Sequence, residues 1–268
     1  LNLNNSLANI KVTGKQDSAL AAFLKGKIDL QENPLTATFD SVRFNYGNIL
    51  ISNNKDWIIK YVPNQEIGFE QFVIKSDSVY LNLKGKYSFN GNSDLSLVGK
   101  DIPLADIYAI IFPVDSGKTL VRKQYPVQGN INDLFVNYKG DFENPQITAG
   151  VQTGKLVYIG SEENQDIGNL KFNLDYKNES ADILIDLKNA VDKGALNITG
   201  TIPYSNPFKE SDSLNGGITG PADFQLISKD FEIKYFLKTL PFLPDIGGKL
   251  NGEITATGNA SAPELKGS

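Results

Sequence analysis

The segment LKFNLDY at residues 170–176 decides the fold of this chain. Apolar and polar residues alternate along it, so Leu170, Phe172 and Leu174 fall on one side of an extended backbone and Lys171 and Asn173 on the other. A period of two is typical of a β-strand with one face against an apolar environment and one against water. The segment therefore predicts a two-faced strand.

The same alternation recurs along much of the chain, with short turn signals between the alternating segments. Residues 90–92 (Asn-Gly-Asn) form a hairpin signal, and 177–180 and 192–194 separate further pairs. Strands at such short, regular spacing indicate an antiparallel meander rather than parallel strands joined by helices. The other alternating segments are 79–84, 95–97, 134–139, 183–188, 196–199 and 250–257.

Only two segments favour a helix. Residues 103–112 begin with Pro103 and end before Pro113, and residues 230–240 end before Pro241. We interpret 18–24 as a strand, because its pattern continues into 26–30.

Two short helices cannot cover the apolar face of a sheet of roughly twenty strands, so a second sheet, closure of the sheet or a ligand must cover it.

We predict an all-β fold, in which a long, curled antiparallel sheet forms an open trough with one or two short helices. Two β-rich segments, 1–126 and 127–268, follow each other without a linker. Seventeen apolar side chains of the alternating strands would line the trough. They are Val79, Leu81, Leu83, Leu95, Leu97, Leu134, Val136, Tyr138, Leu170, Phe172, Leu174, Ile183, Ile185, Leu187, Leu196, Ile198 and Ile254.

The composition narrows the possible functions. The 268 residues carry a formal net charge of −5 and include no Cys, His or Met. Without a basic patch we expect no nucleic-acid partner. Without Cys or His the chain lacks the usual nucleophile, general base and transition-metal ligands, so we expect no enzyme activity, cofactor or metal site. Because it begins with Leu1 and has no Met, we expect a processed chain or a piece of a longer protein.

Two short motifs suggest ligand sites, but other interpretations fit them better. Residues 117–119 (Gly-Lys-Thr) match the end of a phosphate-binding loop, yet Phe112 stands where the first glycine is required, so we interpret them as a turn. Glu162, Glu163 and Asp166 lack the spacing of a calcium loop, so we interpret them as a solvated loop.

One pattern occurs twice in the chain. Residues 129–150 (GNINDLFVNYKGDFENPQITAG) and 248–268 (GKLNGEITATGNASAPELKGS) each carry an alternating strand, a glycine, a loop with a proline and a further strand start. The glycine releases the strand into a turn and the proline fixes the loop. Such a repeat predicts a large unit built of many strands.

These two copies resemble the signature repeat of the TamB family, the AsmA-like translocation-and-assembly proteins of Gram-negative envelopes. Residues 89–107 and 195–204 resemble intervening segments of that family. The resemblance implies a periplasmic protein with an inner-membrane anchor outside this chain and an apolar β-trough, the β-taco of bridge-like lipid transfer proteins. It also implies phospholipid cargo, an Omp85-type, TamA-like outer-membrane barrel as partner, and a role in outer-membrane protein assembly.

The residues alone leave other functions open. Six of the seventeen side chains are also suited to the core of a closed barrel or sandwich with a structural or adhesive role, because alternation does not separate a core from a groove. They are Leu81, Leu83, Phe172, Leu174, Ile185 and Ile198. A lipopolysaccharide-carrying jelly roll would share the groove, but would favour basic residues at its rim.

Overall fold

A computed structural model of the chain describes residues 2–4, 7–16, 20–46, 49–75, 79–111, 127–159, 164–189, 194–206, 217–232, 247–259 and 262–268. Strands account for 77% of the structure, and α1 (Leu104–Ile111) is the one helix within these ranges. The strand pairings of known register are antiparallel. The fold is all-β, as predicted.

The chain divides into two compact units. The first comprises Leu1–Gln124 with Asn137–Asp141, and the second comprises Tyr125–Val136 with Phe142–Ser268. The described strands of the first unit are β1 (Asn2–Asn4), β2 (Leu7–Gln16), β3 (Leu20–Asp29), β4 (Leu35–Tyr46), β5 (Ile49–Asn53), β6 (Trp57–Val62), β7 (Glu66–Lys75), β8 (Tyr80–Ser88) and β9 (Ser93–Pro103). Strands β1 to β4 pair in chain order, β5 and β6 both pair with β4 and β7, and β8 and β9 follow.

The second unit is also built on one antiparallel ladder. Its strands, with β11 extending into the first unit, are β10 (Val127–Gln128), β11 (Asn130–Gly140), β12 (Gln146–Thr153), β13 (Leu156–Ile159), β14 (Asn164–Lys177), β15 (Ser180–Lys188), β16 (Ala195–Pro203), β17 (Ala222–Glu232), β18 (Lys249–Gly258) and β19 (Glu264–Gly267). β14 pairs with β12 and β13 on one side and with β15 on the other, and β16 to β19 follow in chain order.

Most of the local predictions agree with these elements. The helix predicted at 103–112 is α1, the segment 18–24 enters strand β3, and the signals at 90–92 and 177–180 connect paired strands. The helix predicted at 230–240 is wrong at its start, because Asp230–Glu232 complete β17 beside β18. The rest of that segment and residues 192–193 lie outside the described residues.

A side chain fills an interruption in the first unit. β5 and β6 lie one after the other along β4, and Asn53 closes the gap between them. Its Oδ1 accepts the Val42 N–H at 2.7 Å, and its Nδ2 donates to Phe39 O at 3.1 Å and Lys55 O at 3.0 Å. The amide thus replaces the ladder bonds that the break removes.

Replacing Asn53 by alanine is expected to destabilise the first unit by about 2–3 kcal/mol, because two part-buried main-chain groups, the Val42 N–H and the Phe39 carbonyl, lose their partner. Urea unfolding followed by the fluorescence of Trp57, the only tryptophan, measures the change. Asn45→Ala is the control, since this exposed asparagine of β4 is expected to change stability by less than about 0.5 kcal/mol. Equal effects of the two substitutions would contradict this role for Asn53.

The second unit has a matching interruption, where the Thr153 hydroxyl accepts the Leu170 N–H at 2.8 Å and two glycines stand close by. β12 and β13 lie one after the other along β14, and the β13–β14 register shifts between Leu156 and Val157. Gly168 stands at the shift with φ +101°, and Gly129 stands between β10 and β11 with φ +148°. Such bulges bend a strand and increase its twist, so the sheet curves locally along this line.

Candidate functional site

In the second unit, the register aligns apolar residues into a row across five strands. Phe172 of β14 lies opposite Ile185 of β15, which lies opposite Ile198 of β16. Ile198 pairs in turn with Leu226 of β17, and Leu226 with Ile254 of β18. Because directly opposed residues point to the same face of a sheet, these side chains share one face. We call it the apolar face of the second unit.

A second row runs beside the first, two residues further along each strand. Leu174, Ile183, Gly200, Phe224 and Ala256 oppose one another in turn. A Cβ added to Gly200 would lie 2.1 Å from Phe224 Cδ1, so the Phe224 ring lies over the glycine. The rows are about 6.8 Å apart along the strands. Together they form a broad apolar strip.

Charged residues of these strands occupy the opposite face, which we call the polar face of the second unit. Asp175 opposes Asp182, and Lys171 opposes Asp186, on this side of β14 and β15. The Lys177 ammonium lies 3.2 Å from the Asp175 carboxylate. The two faces therefore differ sharply in polarity.

The first unit has an apolar face of the same kind. Leu81 and Leu83 of β8 oppose Ile74 and Phe72 of β7, and Leu83 also opposes Leu97 of β9. These side chains therefore share one face of the first unit, which we call its apolar face.

Aromatic rings add to this face. Trp57 stacks on Phe72 with 4.1 Å between ring centroids, and the Phe69 ring meets Phe72 edge-on at 5.8 Å. The Trp57 indole N–H donates to the Val73 carbonyl at 2.7 Å, which fixes the ring. The sequence interpretation had not placed these rings among the lining residues.

The structure brings most of the seventeen predicted residues together within their own unit. Leu81, Leu83, Leu95 and Leu97 share the apolar face of the first unit, and Val79 immediately precedes β8. Nine of the remaining residues share the apolar face of the second unit by direct register or strand alternation. These are Leu170, Phe172, Leu174, Ile183, Ile185, Leu187, Leu196, Ile198 and Ile254.

The other three predicted residues lie on β11. The Phe135 ring lies over Gly150, which pairs with Asn173 on the polar face of the second unit. Because successive side chains of a strand point to opposite faces, Leu134 and Val136 point to the apolar side. Tyr138 belongs to the first unit, and its hydroxyl donates to Asp141 O at 3.1 Å. Burial raises the pKa of Tyr138, with further contributions from Tyr87 and Asp141.

Most of the predicted side chains on the apolar faces are only partly covered. Ile254 is 42% exposed, Leu196 is 7% exposed, and the other predicted residues are half-buried. Within the described ranges no large side chain is less than 2% exposed. A closed core would enclose several such side chains completely, so the described residues leave apolar surface uncovered.

A shallow cavity of about 800 Å³ lies on the polar face of the second unit, not on the apolar face. Asn173, Asp182, Gln225 and Phe135 line part of it. The Thr201 hydroxyl donates to Asp182 at 2.6 Å. This concavity is distinct from the predicted groove, and the apolar Phe135 and Leu184 line it together with polar side chains such as Asn173 and Asp182.

Sequence reasoning missed part of the apolar face. Val151, Phe224 and Leu226 belong to it in the second unit. Phe224 and Leu226 do alternate, but Ile227 follows at once on the polar face and hides the period. Alternation scored over 222–228 would have found the strand.

Of the two motifs interpreted as a turn and a loop, the structure describes only Asp166. Asp166 forms an ion pair with Lys155 at 2.5 Å and accepts the Gly168 N–H, while residues 117–119 and 162–163 lie outside the described ranges. Among the residues described, no group of three His, Cys, Asp or Glu is placed to hold a metal ion. No helix there is long and apolar enough to cross a membrane.

The chain matches no known protein family, no curated protein and no solved structure. The resemblance to the TamB family therefore rests on the repeat motifs.

Proposed function

We propose that this protein binds lipid acyl chains on the apolar faces of its sheets and carries phospholipid towards the outer membrane. The observation that supports the proposal is the pair of apolar rows in the second unit, whose Leu, Ile and Phe side chains remain half-buried. Each methylene removed from water contributes about 0.8 kcal/mol, so a chain of about sixteen carbons gains on the order of 10 kcal/mol.

The cellular part of the proposal depends on the resemblance of residues 129–150 and 248–268 to the TamB family. It comprises a periplasmic location, an inner-membrane anchor outside this chain, a TamA-like barrel partner and a contribution to outer-membrane protein assembly. These functions need no catalytic group.

A structural or adhesive sandwich fits the exposure pattern less well. In a sandwich the inner faces of two sheets interdigitate into a core about 10 Å thick, and side chains at its centre are enclosed. Ile254 at 42% exposure and the half-buried Phe172 and Ile185 are unlike such positions. The exposure pattern therefore favours a face that binds a ligand.

Lipid extraction followed by mass spectrometry tests the proposal on purified protein, and we expect acyl lipids to co-purify. Trp57 supplies a second measurement, because it lies on the apolar face of the first unit beside Phe72. Phosphatidylcholine with brominated acyl chains is expected to quench its fluorescence, whereas the unbrominated lipid is not. Absence of both co-purified lipid and quenching would refute the proposal.

A matched variant moves the reporter to the other face. Ile58 follows Trp57 on β6 and opposes Thr38 and Gln71 on the polar side. In the double variant Trp57→Phe, Ile58→Trp, the indole is expected to escape quenching by the brominated lipid. Equal quenching in both proteins would indicate non-specific collision with lipid.

A further inference from the structure

The cavity on the polar face of the second unit is built from two neighbouring rows of side chains. The members of the first row, from β14 to β17, are Asp175, Asp182, Thr201 and Asp223. The second row lies two residues further along each strand, about 6.8 Å away, and continues into β18. Its members are Asn173, Leu184, Thr199, Gln225 and Thr255. At about 4.8 Å per strand the second row spans roughly 19 Å, which suits an extended ligand rather than a single ion.

Several polar groups of the second row are free to bind a ligand. Among the described residues, the Asn173 amide and the Thr199 hydroxyl form no hydrogen bond with the protein. The Gln225 Nε2 donates to the Glu253 carboxylate at 2.6 Å, which fixes that amide and leaves its Oε1 to accept from a ligand. Amide and hydroxyl groups both donate and accept hydrogen bonds. The row therefore complements a ligand whose own polar groups do both, as hydroxyl groups do.

The charges around the cavity exclude an anion and do not form a metal site. Its lining, as far as the chain is described, includes three aspartates and no lysine or arginine, so a phosphate or carboxylate ligand would be repelled. Asp175 and Asp182 oppose each other, but Lys177 already pairs with the first and Thr201 donates to the second. Asp223 stands two strands beyond Asp182, about 9.6 Å away, too far to share one cation with it.

The cavity also has an apolar patch. The Phe135 ring lies over Gly150, so close that a Cβ there would not fit, and it is adjacent to Asn173. This ring remains 38% exposed, and Leu184 stands beside Asn173 in the second row. An exposed aromatic ring within a polar cavity offers a stacking surface to a ligand that has apolar C–H faces.

From these observations we infer that the polar face of the second unit carries a binding site for uncharged oligosaccharides. A sugar ring combines hydroxyl groups that donate and accept with C–H faces that stack on an aromatic ring, and the cavity complements both. Phe135 stacks on one ring, while Asn173, Thr199 and Gln225 bind hydroxyl groups along the oligosaccharide. The site lies on the opposite side of the sheet from the apolar rows, so the inference does not depend on the proposed function.

Saturation-transfer NMR titrations with tetrasaccharides of different charge test the inference. The uncharged probes are maltotetraose, cellotetraose and the tetramer of N-acetylglucosamine, and the anionic probe is tetragalacturonate. We expect at least one uncharged probe to bind with a dissociation constant on the order of 1 mM or tighter, without salt dependence, because no ion pair forms. Tetragalacturonate is expected not to bind.

Spermidine tests the alternative that the aspartates recognise a polyamine. Binding of spermidine alone, weakened by salt, would overturn the inference, because charge rather than hydroxyl groups would then be recognised. Failure of all three uncharged probes to bind, or equal binding of tetragalacturonate, would overturn it as well.

Two phenylalanine variants provide a matched control. Phe135 is 38% exposed within the cavity, whereas Phe142 is 47% exposed in the same unit and is not part of the lining. Phe135→Ala is expected to weaken oligosaccharide binding by at least about fivefold, and Phe142→Ala by less than about twofold. Equal effects of the two substitutions would overturn the inference.

Thr199→Val supplies a second variant that keeps the side-chain shape and removes one hydroxyl group. It is expected to weaken oligosaccharide binding by about threefold to fivefold, because one hydrogen bond is lost. Unchanged binding in both Thr199→Val and Phe135→Ala would overturn the inference. Binding of a fluorescent fatty acid should remain unchanged in both variants, since both residues lie on the polar face, so the two proposed sites are tested separately.

Discussion

Aspartate in place of Ile185 is expected to weaken acyl-chain binding by the second unit strongly. Ile185 stands in the middle of the apolar row, with Phe172 on one side and Ile198 on the other. A bound chain would cover the new carboxylate, which has no partner on this face. The cost of removing an unpaired charge from water is several kcal/mol, so affinity should fall by at least about thirtyfold.

The adjacent residue provides the control. Leu184 lies on the same strand but on the polar face, opposite Asn173 and Thr199. Leu184→Asp introduces the same charge one residue away and should leave the dissociation constant within about twofold. Fluorescence of a bound fatty-acid probe measures both proteins, after circular dichroism has shown that each is folded.

Ile185→Gln keeps the test valid if the aspartate variant does not fold. Its amide is polar but uncharged, so it should weaken binding by about tenfold. Unchanged binding in a folded Ile185→Asp or Ile185→Gln protein would contradict the assignment of this face. Equal losses at positions 184 and 185 would do so as well.

Alternation predicts the second unit well because its central strands are regular. From β14 to β16 the register runs without a shift, so each residue keeps the face that its position in the sequence assigns. Phe172, Ile185 and Ile198 therefore line up as the period of two requires. In these strands the face predicted from the sequence is therefore the face on which each side chain lies.

Bulges explain why the first unit was harder to predict. Phe69 and Phe72 are three positions apart, an odd spacing that alternation assigns to opposite faces. The register shifts between them, with Glu70 at the shift, so Phe69 opposes Gly85 and Phe72 opposes Leu83 on the same face. A bulge reverses the phase of the pattern, and the sequence shows it only as an irregular apolar run.

The cavity on the polar face of the second unit was beyond prediction for another reason. Its residues, such as Asn173 and Gln225, come from strands far apart in the chain, and its depth depends on how the sheet bends. Bending is the summed effect of bulges such as the one at Gly168. The pattern within one short segment of sequence therefore does not predict the depth of the cavity.

Alanine in place of Gly168 is expected to destabilise the second unit more than any other glycine substitution considered, by at least about 3 kcal/mol. Two effects combine at this position. Its φ of +101° is one that L-residues rarely adopt, and an added Cβ would lie 1.7 Å from the Lys188 carbonyl oxygen of β15. The main chain at the bulge would have to move, and the β14–β15 ladder would move with it.

Two other glycines of the same unit separate these effects. Gly258 has φ +100° but open space around an added Cβ, so Gly258→Ala should cost only the conformational strain, about 1–2 kcal/mol. Gly220 has no positive φ, and its added Cβ would make ordinary contact with Pro203 at 3.5 Å, so Gly220→Ala should be nearly neutral. Urea unfolding followed by circular dichroism measures the three variants. If Gly168→Ala proved no worse than Gly258→Ala, the bulge would tolerate the extra carbon, and the close approach of β14 to β15 would not depend on a glycine at that position.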